Sequence, residues 1–132
     1  MQIQAKEIEK VLHNLFIKYK FTEEKATLLA SVFTESTIDG VSSHGINRVP
    51  LFIEYIEKGV IKIDTEAEKI ASFGNLERWD GNLGPGIINA KKCTTRAIEL
   101  AKQYGMGMVA LRNTNHWMRG GTYGKQAADS NC

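Results

Sequence analysis

The sequence predicts a mixed α+β fold, in which an N-terminal helical portion precedes the strands and helices of an incomplete sheet. Apolar residues recur at helical spacing through roughly the first 60 residues. Two β-like stretches joined by a turn signal follow, and a helix, a strand and another helix complete the chain. The 132 residues suffice for one domain with a core, and no repeat or linker divides them. We therefore expect one domain or one piece of a larger one.

The first two helices are predicted from apolar spacing and from a capping residue. An amphipathic helix is expected over about residues 4–20, on a stripe that comprises Ile8, Val11, Leu12, Leu15, Phe16 and Tyr19. Thr22 is a suitable N-cap for the second helix, and Glu23 and Glu24 suit its first turn. The pattern of this helix fades near Ile38.

The segment "NRVPLFIEYIEKG" predicts a third helix, because Pro50 is tolerated in a first turn and Gly59 suits a C-terminal cap. Its expected buried stripe comprises Val49, Phe52, Ile53 and Ile56.

The remaining elements are predicted from short patterns and turn residues. The stretches "KIASFG" and "LERWDG" indicate strands that form a hairpin at Gly74-Asn75. The loop "GNLGPG" leads into a long helix over roughly residues 87–104, which Gly105 caps. The apolar segment "MGMVALRN" predicts a short buried strand, and "GGTYGKQAAD" begins a last helix.

The composition excludes several classes of partner. Seventeen basic and fifteen acidic side chains give a net charge of +2, with no block of like charges to attract nucleic acid or an anionic membrane. No apolar run approaches the roughly 20 residues of a membrane span, and the N-terminus lacks the apolar segment of a signal peptide. Cys93 and Cys132 lack metal-ligand spacing, which favours reduced thiols in a cytoplasmic protein. No stop signal precedes the end of the chain, so we expect a longer parent protein.

A first candidate site lies in "DGVSSHGINRVP". If helical geometry begins near Gly45, His44 and Arg48 lie four residues apart on one face. Histidine exchanges a proton near neutral pH, and arginine binds a carboxylate with two parallel hydrogen bonds. The pair suits a substrate with a carboxylate beside a carbonyl or hydroxyl. The alternative is a turn histidine bonded to backbone and a solvated arginine.

A second candidate site is "RNTNHWMRGGTYG", which follows the predicted strand. His116 is a second candidate acid or base, and the Gly120-Gly121 pair leaves backbone N–H groups accessible to a ligand. The alternative is a polar loop whose Trp117 and Met118 pack on the core. The "GNLGPG" loop lacks the Lys-Ser/Thr pair of a phosphate-binding loop, so we interpret its glycines as turn residues.

Together these two motifs resemble the non-Rossmann malate/L-lactate dehydrogenase family, which also contains ureidoglycolate and sulfolactate dehydrogenases. The resemblance extends from the first helix to Ala128. It implies a homodimeric NADH-dependent oxidoreductase of the cytoplasm that reduces 2-oxo acids. The Asn-His-Trp-Met-Arg-Gly-Gly run narrows the implied substrate to a 2-oxo sugar acid.

Carried over by motif, the resemblance assigns His44 as the proton donor, Arg48 as the substrate carboxylate ligand, and His116 as a supporting catalytic group. The family's cofactor residues have no matching positions here, so residues 1–132 are expected to be the N-terminal, substrate-side portion of such a reductase, without the cofactor-binding portion. Three alternatives remain open: the proton donor is His116, the chain is an inactive fragment that associates through its helices, or the substrate is malate, lactate or ureidoglycolate.

Overall fold

A computed structural model describes residues 3–132, which form two compact units. The first unit ends at Gly59, and the second runs from Val60 to Cys132. The first unit contains helices, and the second combines strands with helices. The predicted mixed α+β class is confirmed.

The first unit contains α1 (Ala5–Lys18), α2 (Glu23–Ile38), a 3-10 helix (Ile46–Arg48) and α3 (Val49–Glu57). Local signals set these bounds. The Thr22 hydroxyl accepts a hydrogen bond from the Lys25 N–H at 3.4 Å, as its predicted capping role requires. Pro50 lies in the first turn of α3, where its missing N–H leaves no hydrogen bond unmade.

An aromatic cluster forms the core of the first unit. Phe16, Phe21, Phe33 and Phe52 come from α1, the α1–α2 connection, α2 and α3, and their contacting rings have centroids 5.5–6.4 Å apart. Edge-on and stacked contacts at these distances add to the stabilisation from burial. Val11 of the predicted apolar stripe lies outside this core, since its side chain is 65% exposed.

The second unit contains β1 (Glu68–Phe73), β2 (Leu76–Asp80), α4 (Gly86–Tyr104), β3 (Met108–Arg112) and α5 (Gly121–Ala128). The strands described between residues 3 and 132 form one sheet in the order β1-β2-β3. β1 and β2 form the predicted antiparallel hairpin, whereas β2 and β3 are parallel and are connected through α4.

The sheet is covered on one face only, which corrects the prediction that β3 is a buried strand. Trp79 and Cys93 pack together with Ala67, and Val109 and Leu111 of β3 pack against them. The residues of β3 alternate between exposed and half-buried, so the strand is not buried on both faces. On the opposite face apolar side chains stay accessible, including Phe73 (86% exposed) and Met108 (53% exposed).

Glu77 of β2 is a buried carboxylate that no local pattern in the sequence marks. It accepts hydrogen bonds from the Arg96 guanidinium at 2.9–3.1 Å and from the Trp79 indole N–H at 2.9 Å. The hydrogen bonds from Arg96 are the largest cause that lowers the pKa of Glu77 to about 2, and the bond from Trp79 adds to it. Burial opposes this shift. The pair links the sheet to α4.

Both cysteines are free thiols, and burial raises the pKa of Cys93 to about 11, which makes its thiol unreactive. None of the helices described between residues 3 and 132 has the length and apolar character that crossing a bilayer requires. The same residues contain no cluster of three or more His, Cys, Asp or Glu side chains able to hold a metal ion.

Candidate active site

His44 lies in a turn between α2 and the 3-10 helix and is half-buried. Its backbone N–H donates a hydrogen bond to the Val41 carbonyl at 3.0 Å. Its ring Nδ1 lies 2.8 Å from the Ser43 hydroxyl oxygen. A hydroxyl can donate to an unprotonated Nδ1 or accept from a protonated one, so this contact is compatible with both charge states of the ring.

The helical geometry that a shared face of His44 and Arg48 requires is absent at Gly45. The 3-10 helix begins at Ile46, and Gly45 before it has a non-helical backbone with φ −95° and ψ −144°. Arg48 is the last residue of that helix, it is half-buried, and its N–H donates to the Gly45 carbonyl at 2.9 Å. Spacing by four residues therefore does not fix the mutual orientation of these two side chains.

Thr37 of α2 holds this segment in place. Its hydroxyl donates to the Phe33 carbonyl and accepts from the Ile46 N–H, each at 2.8 Å. Gly45 packs directly against it, since a Cβ atom at Gly45 would lie 2.4 Å from the Thr37 hydroxyl oxygen. The start of the 3-10 helix is thus determined by a residue nine positions earlier, which sequence spacing alone does not reveal.

His116 lies in the loop between β3 and α5 and is exposed. Its ring Nδ1 accepts a hydrogen bond from the Met118 backbone N–H at 2.8 Å. Because a backbone N–H can only donate, this bond requires Nδ1 to be unprotonated, so the neutral ring carries its proton on Nε2. Met118 has φ +66° and a buried side chain. The loop therefore fixes the tautomer of His116.

A surface groove of about 510 Å³ lies beside His116, lined by Val109, Leu111, Thr114, Asn115 and Trp117. Trp117 stacks on Tyr123 with ring centroids 5.5 Å apart, and the Tyr123 hydroxyl donates to the Trp117 carbonyl. The alternative in which Trp117 and Met118 both pack on the core is right for Met118 and wrong for Trp117, which is 53% exposed.

The "GNLGPG" loop does not fit a dinucleotide pyrophosphate, in agreement with its interpretation as a turn. A Cβ atom at Gly86 would lie 2.2 Å from the carbonyl oxygens of Asn115 and His116. Carbonyl oxygens therefore occupy the space beside the first turn of α4, where a phosphate-binding loop would expose N–H groups. Gly84 is equally enclosed, since its Cβ would lie 2.8 Å from the Thr65 carbonyl oxygen.

The candidate residues are distributed over both units. His44 and Arg48 belong to the first unit, and His116 belongs to the second. That the three side chains bind one substrate stays a prediction.

The chain matches characterised proteins over nearly its whole length. The malate/L-lactate dehydrogenase family matches residues 3–132. The 2,3-diketo-L-gulonate reductase of Haemophilus influenzae is 45% identical over 129 residues, which cover 98% of this chain and 39% of that protein. The enzyme of the same name from Escherichia coli strain K12 / DH10B is 43% identical over 129 residues, which cover the same fractions of the two proteins. The chain thus spans about two fifths of the length of these curated relatives.

Solved structures extend the similarity to the fold. Malate dehydrogenase from Entamoeba histolytica superimposes with a TM-score of 0.95 at 31% identity, over 100% of this chain and 37% of that one. Sulfolactate dehydrogenase from Methanocaldococcus jannaschii gives 0.95 at 31% identity, over 99% of this chain and 38% of that one. With the family match over residues 3–132, these similarities establish that the chain belongs to the malate/L-lactate dehydrogenase family.

Proposed function

We propose that this chain is the substrate-side portion of an oxidoreductase that reduces a 2-oxo sugar acid, 2,3-diketo-L-gulonate. The observation that carries the proposal is the 43–45% identity to enzymes named 2,3-diketo-L-gulonate reductase over 98% of the chain. Within the Trp117-Met118-Arg119 run, Trp117 supports this substrate over malate, lactate or ureidoglycolate, because its large side chain lines the groove beside His116.

In the proposed reaction His44 gives a proton to the carbonyl oxygen as it becomes an alkoxide, and Arg48 binds the substrate carboxylate. The contact with the Ser43 hydroxyl supports His44 as the proton donor, because the hydroxyl oxygen can accept from Nδ1 while Nε2 gives its proton to the substrate. The contact of His116 with the Met118 N–H supports a different role, that of a neutral hydrogen-bond donor through Nε2.

NADH would supply the hydride, and we assign its binding to residues outside this chain. A longer parent is supported by the chain's length, which covers about two fifths of that of its relatives. The outer edge of β3, on the side away from β2, also supports it, because no strand described between residues 3 and 132 pairs there. A cytoplasmic homodimer is the assembly that the family resemblance implies, and we include it in the proposal.

The decisive experiment uses the complete protein with NADH and 2,3-diketo-L-gulonate. We expect consumption of NADH, and His44→Ala should lower kcat by about 10²- to 10⁴-fold, the usual contribution of a general acid. His13→Ala is the matched control in the same unit, because His13 bonds only Glu23 among the contacts described for its side chain, at 2.9 Å. Full activity of His44→Ala, or no NADH consumption by the unaltered protein with any 2-oxo acid, would contradict the proposal.

A second candidate is that the 132 residues persist alone as an inactive association module. The accessible apolar face around Phe73 and Met108 favours it, because a patch of this kind promotes association. Size-exclusion chromatography of the chain separates the outcomes: a stable dimer that does not bind NADH supports this candidate, whereas unfolded or aggregated chain contradicts it.

A further inference from the structure

Asn89, in the first turns of α4, joins three separate segments of the second unit. Its side chain is fully buried, and its Oδ1 accepts a hydrogen bond from the Ala67 N–H at 2.8 Å. Its Nδ2 donates to the Gly81 carbonyl at 2.9 Å and to the Thr114 hydroxyl at 3.0 Å. These partners precede β1, follow β2 and follow β3, respectively. One amide therefore fixes the chain at the ends of all three strands described here.

Only an amide of this length satisfies the three partners. Asn offers one acceptor and two donors, whereas Asp offers acceptors alone and Leu offers neither. Because the site is buried, a partner that loses its hydrogen bond cannot turn to water instead. The polar character of Asn89 is therefore required by the surrounding backbone, and the site does not tolerate an apolar core residue.

Of these three partners, Thr114 belongs to the loop that carries His116. Thr114 lies two residues before His116, and the Asn115 side-chain amide donates to the Leu83 carbonyl at 2.7 Å. One turn before Asn89, Gly86 contacts the backbone of Asn115 and His116 so closely that a side chain there would clash. Two features of α4, one polar and one steric, thus hold the same loop.

Backbone strain is concentrated in the segments that this network joins. Asn82, Leu83, Asn113 and Met118 all have positive φ values, between 49° and 66°. Non-glycine residues adopt this region at a cost, and they are retained where the surrounding contacts enforce it. The network of Asn89 supplies such contacts beside Asn82 and Asn113, through Gly81 and Thr114.

We propose that Asn89 is a positioning residue for His116: through Thr114 and the first turn of α4 it holds the loop so that the His116 ring contacts substrate in one orientation. This inference rests on the proposed function, in which His116 contacts the substrate.

Thr114→Val in the complete protein tests the inference with little change in volume, because it removes only the hydroxyl that Asn89 reaches. We expect kcat/KM to fall by about 10- to 100-fold, since a misplacement of about 1 Å near a reacting centre can cost about 10²-fold. Thr114→Ser should restore most of the loss. Thr95→Val is the matched control, since the Thr95 hydroxyl on α4 also accepts from a side-chain amide, that of Gln126 of α5 at 2.9 Å, and neither residue belongs to the loop between β3 and α5.

A double-mutant cycle separates positioning from general destabilisation. If Asn89 and Thr114 act through His116, Thr114→Val should lower activity no further in a His116→Ala background. An equal loss in both backgrounds, or an equal loss in Thr95→Val, would overturn the inference. Asn89→Asp is a second variant for the same test, because it keeps the acceptor and loses both donors. Circular dichroism identifies any variant that fails to fold.

Nitrogen NMR of the His116 ring gives a readout that does not depend on activity. The unaltered protein should show the proton on Nε2, and Thr114→Val should shift both ring signals and the Met118 amide. If His116→Ala retains full activity but these signals still shift, the role of His116 in the proposed function is wrong and the positioning by Asn89 stands. If the signals stay unchanged in folded Thr114→Val, the positioning is wrong whatever the activity.

Discussion

The two candidate histidines, His44 and His116, lie in units whose interiors are built on different kinds of interaction. The segment of His44 packs through Gly45 onto α2, in a unit whose core is a cluster of four phenylalanine rings. The loop of His116 is held by buried polar groups around Asn89, in a unit whose sheet and helix are joined by a buried ion pair. Apolar packing is indifferent to pH and depends on volume, whereas buried polar contacts depend on charge state and on each hydrogen bond.

The largest effect should follow from truncating the aromatic cluster. Phe16→Ala removes a fully buried ring that contacts three others, so we expect a loss of about 3–5 kcal/mol in the stability of the first unit. The loss should be the same from pH 4 to pH 8. Val11→Ala on the same helix is the control and should change stability by less than about 0.5 kcal/mol, because Val11 is exposed. Amide hydrogen exchange in α2 measures both, and a pH-dependent loss would contradict the comparison.

In the second unit the corresponding change is Glu77→Gln, and its effect should depend on pH. The folded pKa of Glu77, about 2, lies below its ordinary value of 4.5, so the carboxylate contributes stability above about pH 4.5 that is lost as the pH falls towards 2. That shift corresponds to about 3 kcal/mol at neutral pH. Urea unfolding followed by tryptophan fluorescence at pH 7 and pH 3 should show the difference from the unaltered chain shrinking at the lower pH.

The control for Glu77 is another carboxylate on the same guanidinium. Glu99 contacts Arg96 at 2.7 Å but its side chain is 56% exposed, so Glu99→Gln should cost less than about 1 kcal/mol. Equal losses for Glu77→Gln and Glu99→Gln would show that burial of the ion pair is unimportant.

Much of the fold follows from local signals in the sequence, and for that reason it was predictable. The Thr22 cap, the Gly74 turn and the αL residue Gly105 act on residues within a few positions of themselves. Each therefore fixes an element boundary whatever surrounds it. The apolar run of β3 also predicts a strand, but the predicted burial is too high, because a strand's own pattern does not reveal whether a second layer covers it.

The candidate site was predictable in its residues and only partly in its geometry. His44 and His116 stand out as residue types in glycine-containing turns. The shared face with Arg48 failed because Thr37, nine residues before Ile46, determines where the 3-10 helix begins. Asn89 was missed for the same reason, since its three partners are 8 to 25 residues away. A lone polar residue on the apolar face of a predicted helix is the signal that marks such a position.

The steric contact between Gly86 of α4 and the His116 loop can be tested with glycine substitutions. Gly86→Ala should destabilise the second unit by about 1–3 kcal/mol, because its Cβ would lie 2.2 Å from two backbone carbonyl oxygens. Gly120→Ala is the control in the same region, since its φ is −60° and no atom lies within 4 Å of its Cβ position. Thermal unfolding measures both. A neutral Gly86→Ala would show that the His116 loop is not held by α4.

The smallest effect should come from Ser43→Ala, and it bears directly on the contrast between the two histidines. If the Ser43 hydroxyl orients the His44 ring, its removal should lower kcat in the complete protein by about fivefold, since one hydrogen bond contributes about 1 kcal/mol. Ser43→Thr keeps a hydroxyl and should retain most of the activity, and the exposed neighbour Ser42→Ala should be neutral. Full activity of Ser43→Ala would remove the structural reason for preferring His44 over His116 as the proton donor.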